Sequence, residues 1–215
     1  MFDYRDYFQI SDFSHKILFY DVKNVWEPLL RIEDTMSKTK SIIKGIVEPG
    51  AYISEYGVIL EEDTFVENGA YVKGPAYIGR GSKIFHGAYI RENTIIGDNC
   101  IVGHCSEVKH SILLNGSRAP HFNFVGNSIL GNNVNLGGGV MIANVKNIPY
   151  GDNILINTGT IKIDTGLKYF GAIIGDQSKI GANTVINPGT LIKKNVLTYP
   201  LSSVKGVIED NSIVR

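Results

Sequence analysis

Residues 66–109 read VENGAYVKGPAYIGRGSKIFHGAYIRENTIIGDNCIVGHCSEVK, and their spacing decides the fold. An aliphatic residue returns every six positions, at Val66, Val72, Ile78, Ile84, Ile90, Ile96, Val102 and Val108. Four places after most of these stands a small residue: Ala70, Ala76, Ser82, Ala88, Thr94, Cys100 and Ser106. A period of six fits neither an amphipathic helix nor an alternating hairpin. It fits a solenoid whose coil is three short strands, eighteen residues in all, with the aliphatic residue inside and the small one at a tight corner. Gly69, Gly74, Gly81, Asn93, Gly97 and Asp98 fall mostly at the turns, where left-handed or cramped backbone is needed.

This pattern resembles the hexapeptide-repeat left-handed parallel β-helix, an all-β fold. Residues eighteen apart then lie one above another, about 4.8 Å apart, on the same face. Lys73, Arg91 and Lys109 form such a column, each directly after an inward aliphatic. Like charges stacked so closely repel unless an anion sits between them. A phosphate site and a row of solvated cations both remain open on spacing alone.

The 215 residues carry 21 basic and 21 acidic side chains, so bulk charge gives no support to a nucleic-acid or anionic-membrane partner. The 24 glycines suit a repeat with many corners. Cys100 and Cys105 both fall in the repeat and imply neither a disulfide framework nor a metal knuckle. The start, MFDYRDYFQI, lacks an apolar signal core, and no apolar run approaches a membrane span. A soluble cytoplasmic protein is expected.

Outward from the repeat, residues 1–45 escape the period and are expected to form a small N-terminal α/β cap over the open end. In it, His15–Tyr20 is a candidate strand, and Asn24 caps a helix over residues 24–38. Residues 46–196 form the β-helix, joining at Val47 with a slip of one residue before Val66. Two insertions interrupt it. Residues 111–123 (SILLNGSRAPHFN) should leave the coil as a loop, after which the inward slots resume at Phe124, Leu130, Leu136 and Ile142. Residues 145–171 should hold a protruding hairpin over 154–163 that turns at Thr158-Gly159. Residues 197–215 read as an extended tail.

Among the histidines, His86 and His104 are eighteen apart and therefore stacked, with His110 at the equivalent place on the next face. Three histidines on this fold bring to mind the trimeric γ-class carbonic anhydrases, but the spacing departs from their pattern, and no metal is expected. His121 follows Pro120 in the irregular loop and need not fill a core slot. A neutral imidazole there is a candidate general base, with Asn123, Asn135 and Asn144 as polar neighbours.

The stretch SEVKHSILLNGSRAPHFNFVGNSILGNNVNLGGGVMIAN (106–144) resembles the acetyltransferase signature of the bifunctional N-acetylglucosamine-1-phosphate uridylyltransferase/glucosamine-1-phosphate acetyltransferases, above all their archaeal-type sugar-1-phosphate relatives. DTGLKYFGAIIGD (164–176) is similar to a second signature of that group, and WEPLLRIEDTMS (26–37) to the segment before its β-helix. The resemblance implies acetyl-CoA as cosubstrate, an amino-sugar phosphate as acceptor and a homotrimer. It makes His121 the general base, puts Arg91 and Lys109 on the sugar phosphate, and sets Asn135 and Asn144 against the sugar and acetyl groups. Gly138 and Ala182 fall where backbone approaches acetyl-CoA. Lys73 joins the phosphate ligands from the column alone.

Three departures stand out. The family tyrosine three residues after the base is Phe124, the tyrosine after the second asparagine is Val145, and a lysine aligns with Tyr169, where the adjacent Lys168 can substitute. Each hydrogen bond lost to a charged group is worth roughly 1–3 kcal/mol. Residues 1–45 cannot hold the nucleotidyltransferase domain of the bifunctional relatives, so uridylyl transfer is not expected of this chain. The expected function is acetyl-CoA-dependent N-acetylation of glucosamine-1-phosphate, on the way to UDP-N-acetylglucosamine. The alternative is a non-catalytic β-helix that binds a sugar nucleotide or partners a separate nucleotidyltransferase.

Overall fold

A computed structural model describes residues 2–37, 40–147 and 152–215. Strands of two to four residues stack into three parallel sheets, two of nine strands and one of eight, which form the sides of a parallel β-helix. Face A runs from Ile42–Ile43 to Val207–Ile208, face B from Ile46–Val47 to Ile213–Val214, and face C from Tyr52–Ile53 to Ser203–Val204. The expected inward column is there: Val66, Val72, Ile78, Ile84, Ile90, Ile96, Val102 and Val108 are fully buried in one continuous core.

The small residues after them are buried too, and their hydroxyls explain the corners. Ser82 Oγ donates to the Gly97 carbonyl at 2.7 Å and accepts the Cys100 N–H at 2.8 Å. Ser178 does the same between Lys193 and Val196. A short hydroxyl thus serves backbone groups that have no strand partner where the coil turns. On the outer side of the corner between faces A and B, Gly81, Asn99, Gly116, Asn133, Gln177, Asn195 and Asn211 all take positive φ. Their N–H groups reach the carbonyl of the coil before.

The stretch 111–123 does not leave the coil. It contributes strands Ile112–Leu113 and Arg118–His121, in register with their neighbours on both sides. Val108 pairs with Val125, and Val125 with Ile142, each seventeen residues on. These two coils are therefore one residue shorter, and the residue lost lies at the corner between faces C and A. The consequence is that Val125, not Phe124, points inward; Val125 is fully buried and Phe124 half-buried on the outside. The slip expected before Val66 is present, since Ile53 pairs with Val72 nineteen on and Leu60 with Ile78 eighteen on.

Face A is apolar on its outer side as well. Tyr77, Ile95, Ile112, Ile129, Ile173 and Leu191 point outward there and are buried. Their cover is the N-terminal segment, with Phe8, Phe13, Phe19, Trp26, Leu29 and Ile32 in the same cluster. The segment is thus a lateral strap and not a lid on the open end. Over the described residues 2–37 it contains no strand: Lys16–Phe19 is a 3-10 helix, and the α-helix Pro28–Met36 starts after Glu27 with proline in its first turn; Ile42–Ile43 already belongs to face A. Asn24 does not cap it but donates from Nδ2 to Glu27 Oε1 at 3.0 Å. The hairpin Leu155–Asn157/Lys162–Asp164 folds back onto the same cluster through Ile154 and Ile156, so it does not protrude freely. Residues 197–215 are no tail; strands Leu197–Thr198, Ser203–Val204, Val207–Ile208 and Ile213–Val214 extend the helix by another coil. No helix among the described residues is long and apolar enough to cross a membrane.

The register makes a direct prediction. Val125→Asp, which buries an unpaired charge, should cost about 4 kcal/mol or more in urea unfolding. Phe124→Ser should cost no more than about 2 kcal/mol. The reverse order would mean that Phe124 is the inward residue.

Candidate active site

Tyr71, Tyr89 and Glu107 pair in register on face C, which stacks Lys73, Arg91 and Lys109 on successive coils at the end of that face. The anions between the first two cations are protein carboxylates. Glu92 lies 3.4 Å from Lys73 and 3.6 Å from Arg91, and Arg91 donates to Glu107 Oε1 at 3.0 Å. The Glu107 carboxylate raises the Arg91 guanidinium further above its ordinary value. Burial works to raise Glu92, but its own backbone N–H with Lys73 and Arg91 holds it below the usual carboxylate value. The Nε of Arg91, Oε2 of Glu92 and Oδ1 of Asn93 are buried without a hydrogen-bond partner, so this corner has polar capacity to spare.

Lys109 has no carboxylate partner among the described residues; its ammonium sits 5.9 Å from the centre of the Tyr169 ring. The segment returning from the hairpin passes over this corner. With Lys109, the residues Asn127, Lys168 and Tyr169 line a cleft of about 350 Å³. Asn144 enters the same place, donating from Nδ2 to Asn127 Oδ1 at 2.7 Å. The structure therefore brings Lys109, Lys168 and Asn144 together. His110 is spent elsewhere: its Nε2 donates to the Leu29 carbonyl at 3.1 Å, tying the strap to the corner. It cannot join His86 and His104, and no three His, Cys, Asp or Glu residues among those described are placed to share a metal ion.

At the corner between faces B and C stands a second column. His86 and His104 stack with ring centroids 5.8 Å apart, as eighteen-residue spacing requires. Because the following coil is a residue shorter, His104 pairs with His121. His121 is thus an exposed strand-end residue and the third ring of a ladder. The next coils carry Gly138 and then Ala182, since Arg118 pairs with Asn135 and Asn135 with Lys179. Three imidazoles give way to two of the smallest residues, leaving a notch under His121. A Cβ at Gly138 would meet nothing nearer than the His121 Cβ, at 3.7 Å. Asn123 does not face this notch; it is buried and holds the corner, donating to the Gly137 carbonyl at 2.8 Å. Phe122 is exposed at φ +52 with its ring edge-on to His104. Strain of this kind on a bulky residue persists where neighbours over-determine the backbone.

Asn135 points out of face B, whereas Asn144 sits at the corner between C and A, so one chain does not bring these two together. Glu92, Glu107 and Asn127 belong to the site and escaped sequence reading. The column rule could have placed Glu107 beside Arg91; Asn127 needed the seventeen-residue register.

Residues 72–166 match the GMPPB C-terminal domain family, and residues 165–196 the family described as hexapeptide repeat of succinyl-transferase. A bifunctional protein GlmU from Methanococcus aeolicus is 35% identical over 196 residues, 90% of this chain and 46% of that protein. The chain carries hexapeptide repeats and is similar, over most of its length, to GlmU-like bifunctional proteins. A bifunctional sugar-1-phosphate nucleotidylyltransferase/acetyltransferase from Sulfurisphaera tokodaii is 37% identical over 94 residues, 44% of this chain and 23% of that protein. The chain therefore spans less than half the length of these curated relatives. The acetyltransferase domain of PglB from Neisseria gonorrhoeae, solved with acetyl coenzyme A, gives a TM-score of 0.39 at 15% identity, covering 79% of this chain and 53% of that one.

Burial holds the His110 imidazole below its ordinary value of 6.5, against the opposing pull of the Leu29 carbonyl; burial lowers His15 as well. Below pH 6.5 the unfolded chain binds more protons than the folded one, so stability should fall as pH drops through that window. His110→Asn, the residue at the matching corner position 127, should fold and flatten that fall in urea melts. An unchanged slope would assign the pH dependence to other groups.

Proposed function

We propose that this GlmU-like chain is an acetyl-CoA-dependent N-acetyltransferase acting on an amino-sugar phosphate, with glucosamine-1-phosphate the first acceptor to test. The observation that carries the reading is the column at the corner between faces B and C, where His121 overhangs the notch of Gly138 and Ala182. In this reading the pantetheine end of acetyl-CoA lies in that notch. His121 takes a proton from the sugar amine as its nitrogen attacks the thioester carbonyl. The carbon–nitrogen bond forms, the carbon–sulfur bond breaks, and coenzyme A leaves as the thiol. The phosphate would sit at the far end of face C, with Lys109 and Lys168 as its principal partners and Lys73 beside them. One short strand, roughly 10 Å, separates the two ends, a span suited to a hexosamine phosphate. Arg91 would exchange Glu107 for phosphate, and Asn144 would hold the sugar.

Asn135 faces away from this site on its own chain, which supports a homotrimer with Asn135 serving a neighbouring copy. The outward column of face C supports the same assembly: Tyr52, Tyr71 and Tyr89 on one side of Glu107, and Phe124, Met141 and Val185 on the other, give it a largely apolar surface. The product would feed UDP-N-acetylglucosamine synthesis in the cytoplasm, the nucleotidyl transfer being left to a separate partner.

A scaffold without turnover is the second reading, favoured by the carboxylates already occupying Arg91 and by the missing hydroxyls at Phe124 and Val145. Release of free thiol from acetyl-CoA separates the two. With glucosamine-1-phosphate present, release should occur and should drop by about 10²–10⁴ in His121→Ala, while Lys109→Ala should raise KM for the sugar. No release with a panel of amino-sugar phosphates, together with no binding of acetyl-CoA, would overturn the enzyme reading.

A further inference from the structure

Faces A and C are accounted for, the first by its strap and the second by its apolar column. Face B differs. Its outward positions Arg118, Asn135 and Lys179 lie on three successive coils in direct register. At about 4.8 Å per coil, the two cations are anchored roughly 10 Å apart with a carboxamide between them. They line a cleft of about 500 Å³ whose other walls are Gly116, Asn133 and Gln177. No carboxylate lines it.

Some cations on the outside of the helix are matched by carboxylates, as Lys73 is by Glu92 and Lys193 by Glu209; this cleft instead pairs two cations with carboxamides alone. Arg118 and Lys179 take part in no ion pair among the described residues. The nearest acid on the adjoining corner, Asp176, is already held by the N–H groups of Gln9 and Asn132 and by the Asn132 side chain. The carboxamides of Asn133 and Gln177 line the cleft and donate to no other described residue, so they remain free to donate. Two unmatched cations joined by amide donors make an anion site, and one whose charges are too far apart for a single phosphate to contact evenly.

We propose that this cleft binds a diphosphate, with Arg118 and Lys179 each holding one phosphoryl group and the Asn133 and Gln177 carboxamides donating to it. The site is separate from the Lys109 cluster, which lies beyond face C at another corner. Its position names two sources for the diphosphate. Lys179 and Asn135 lead three residues on to Ala182 and Gly138, so a ligand anchored here reaches the notch under His121. Coenzyme A carries a diphosphate at such a distance from its thiol, and a nucleotide-linked sugar carries one beside its sugar. The inference does not require acyl transfer to occur.

The test is calorimetric titration of the full chain with inorganic pyrophosphate. Binding should be saturable, should weaken with salt, and should fall about tenfold or more in the double variant Arg118→Ala/Lys179→Ala. Lys44→Ala, on another face and paired with Glu61, should leave it unchanged. Both replaced side chains are exposed, and circular dichroism will confirm that the double variant folds. Displacement of pyrophosphate by coenzyme A, or instead by a uridine diphosphate sugar, assigns the source. Binding that is absent, that survives in the double variant, or that neither ligand displaces overturns the proposal. Pyrophosphate binding as expected, in a protein that releases no thiol from acetyl-CoA with any amino-sugar phosphate, would count against acyl transfer alone.

Discussion

Everything in this molecule hangs on the parallel backbone ladder between successive coils. Each strand is only two to four residues long and is stable only because the coil before and the coil after hydrogen bond to it at the same height. Coil length can therefore vary only where the ladder is interrupted, at the corners. The nineteen-residue steps from Val47 to Val66 and from Ile53 to Val72, and the seventeen-residue steps from Val108 to Val125 and from Val125 to Ile142, obey this rule. Buried serines and threonines, and left-handed Asn and Gly, keep the corners solvent-independent by serving the backbone groups that no strand serves.

A ladder of this kind turns sequence separation into columns, and the columns are where chemistry can accumulate. His86 and His104 stack, and His121 follows them in the column, because each is forced to the same place on the next coil; the same forcing puts Gly138 and Ala182 below them. Cys105, Phe122 and Leu201, which take positive φ on this corner without being Gly or Asn, each carry roughly 1–2 kcal/mol of backbone strain that the ladder must hold. The basic column is governed by the same geometry, but Glu92 and Glu107 stand in it as internal counter-ions. A ligand phosphate must displace one of them to reach Arg91, whereas Lys109 is free of such competition.

The three faces carry different duties. Face A is apolar on both sides and dry, because the strap and the hairpin cover it. The strap is stitched at both edges, by Asn132 Nδ2 to the Gln9 carbonyl on one side and by His110 to Leu29 on the other. Faces B and C stay open. Face B carries Arg118, Asn135 and Lys179 on three successive coils, whereas the outward column of face C is aromatic and aliphatic except at Glu107.

The sequence by itself determined the repeat, the inward column, the small buried corners and the stacking of Lys73, Arg91 and Lys109, because a period of six is a local property of each coil. It also placed the hairpin and the slip before Val66. It did not reveal that residues 111–123 remain in the coil. Phe124 and Val125 are adjacent and both apolar, so a one-residue shortening leaves the hydrophobic pattern almost unchanged. Only the pairing of Val108 with Val125 decides between them, and with it whether His121 belongs to a loop or to the histidine ladder. The doublets Ile95-Ile96, Ile129-Leu130 and Ile173-Ile174 hinted that face A needed a cover on its outer side. Which segment supplies that cover is a matter of long-range packing, fixed by where the apolar side of the strap finds dry surface, and no local period records it.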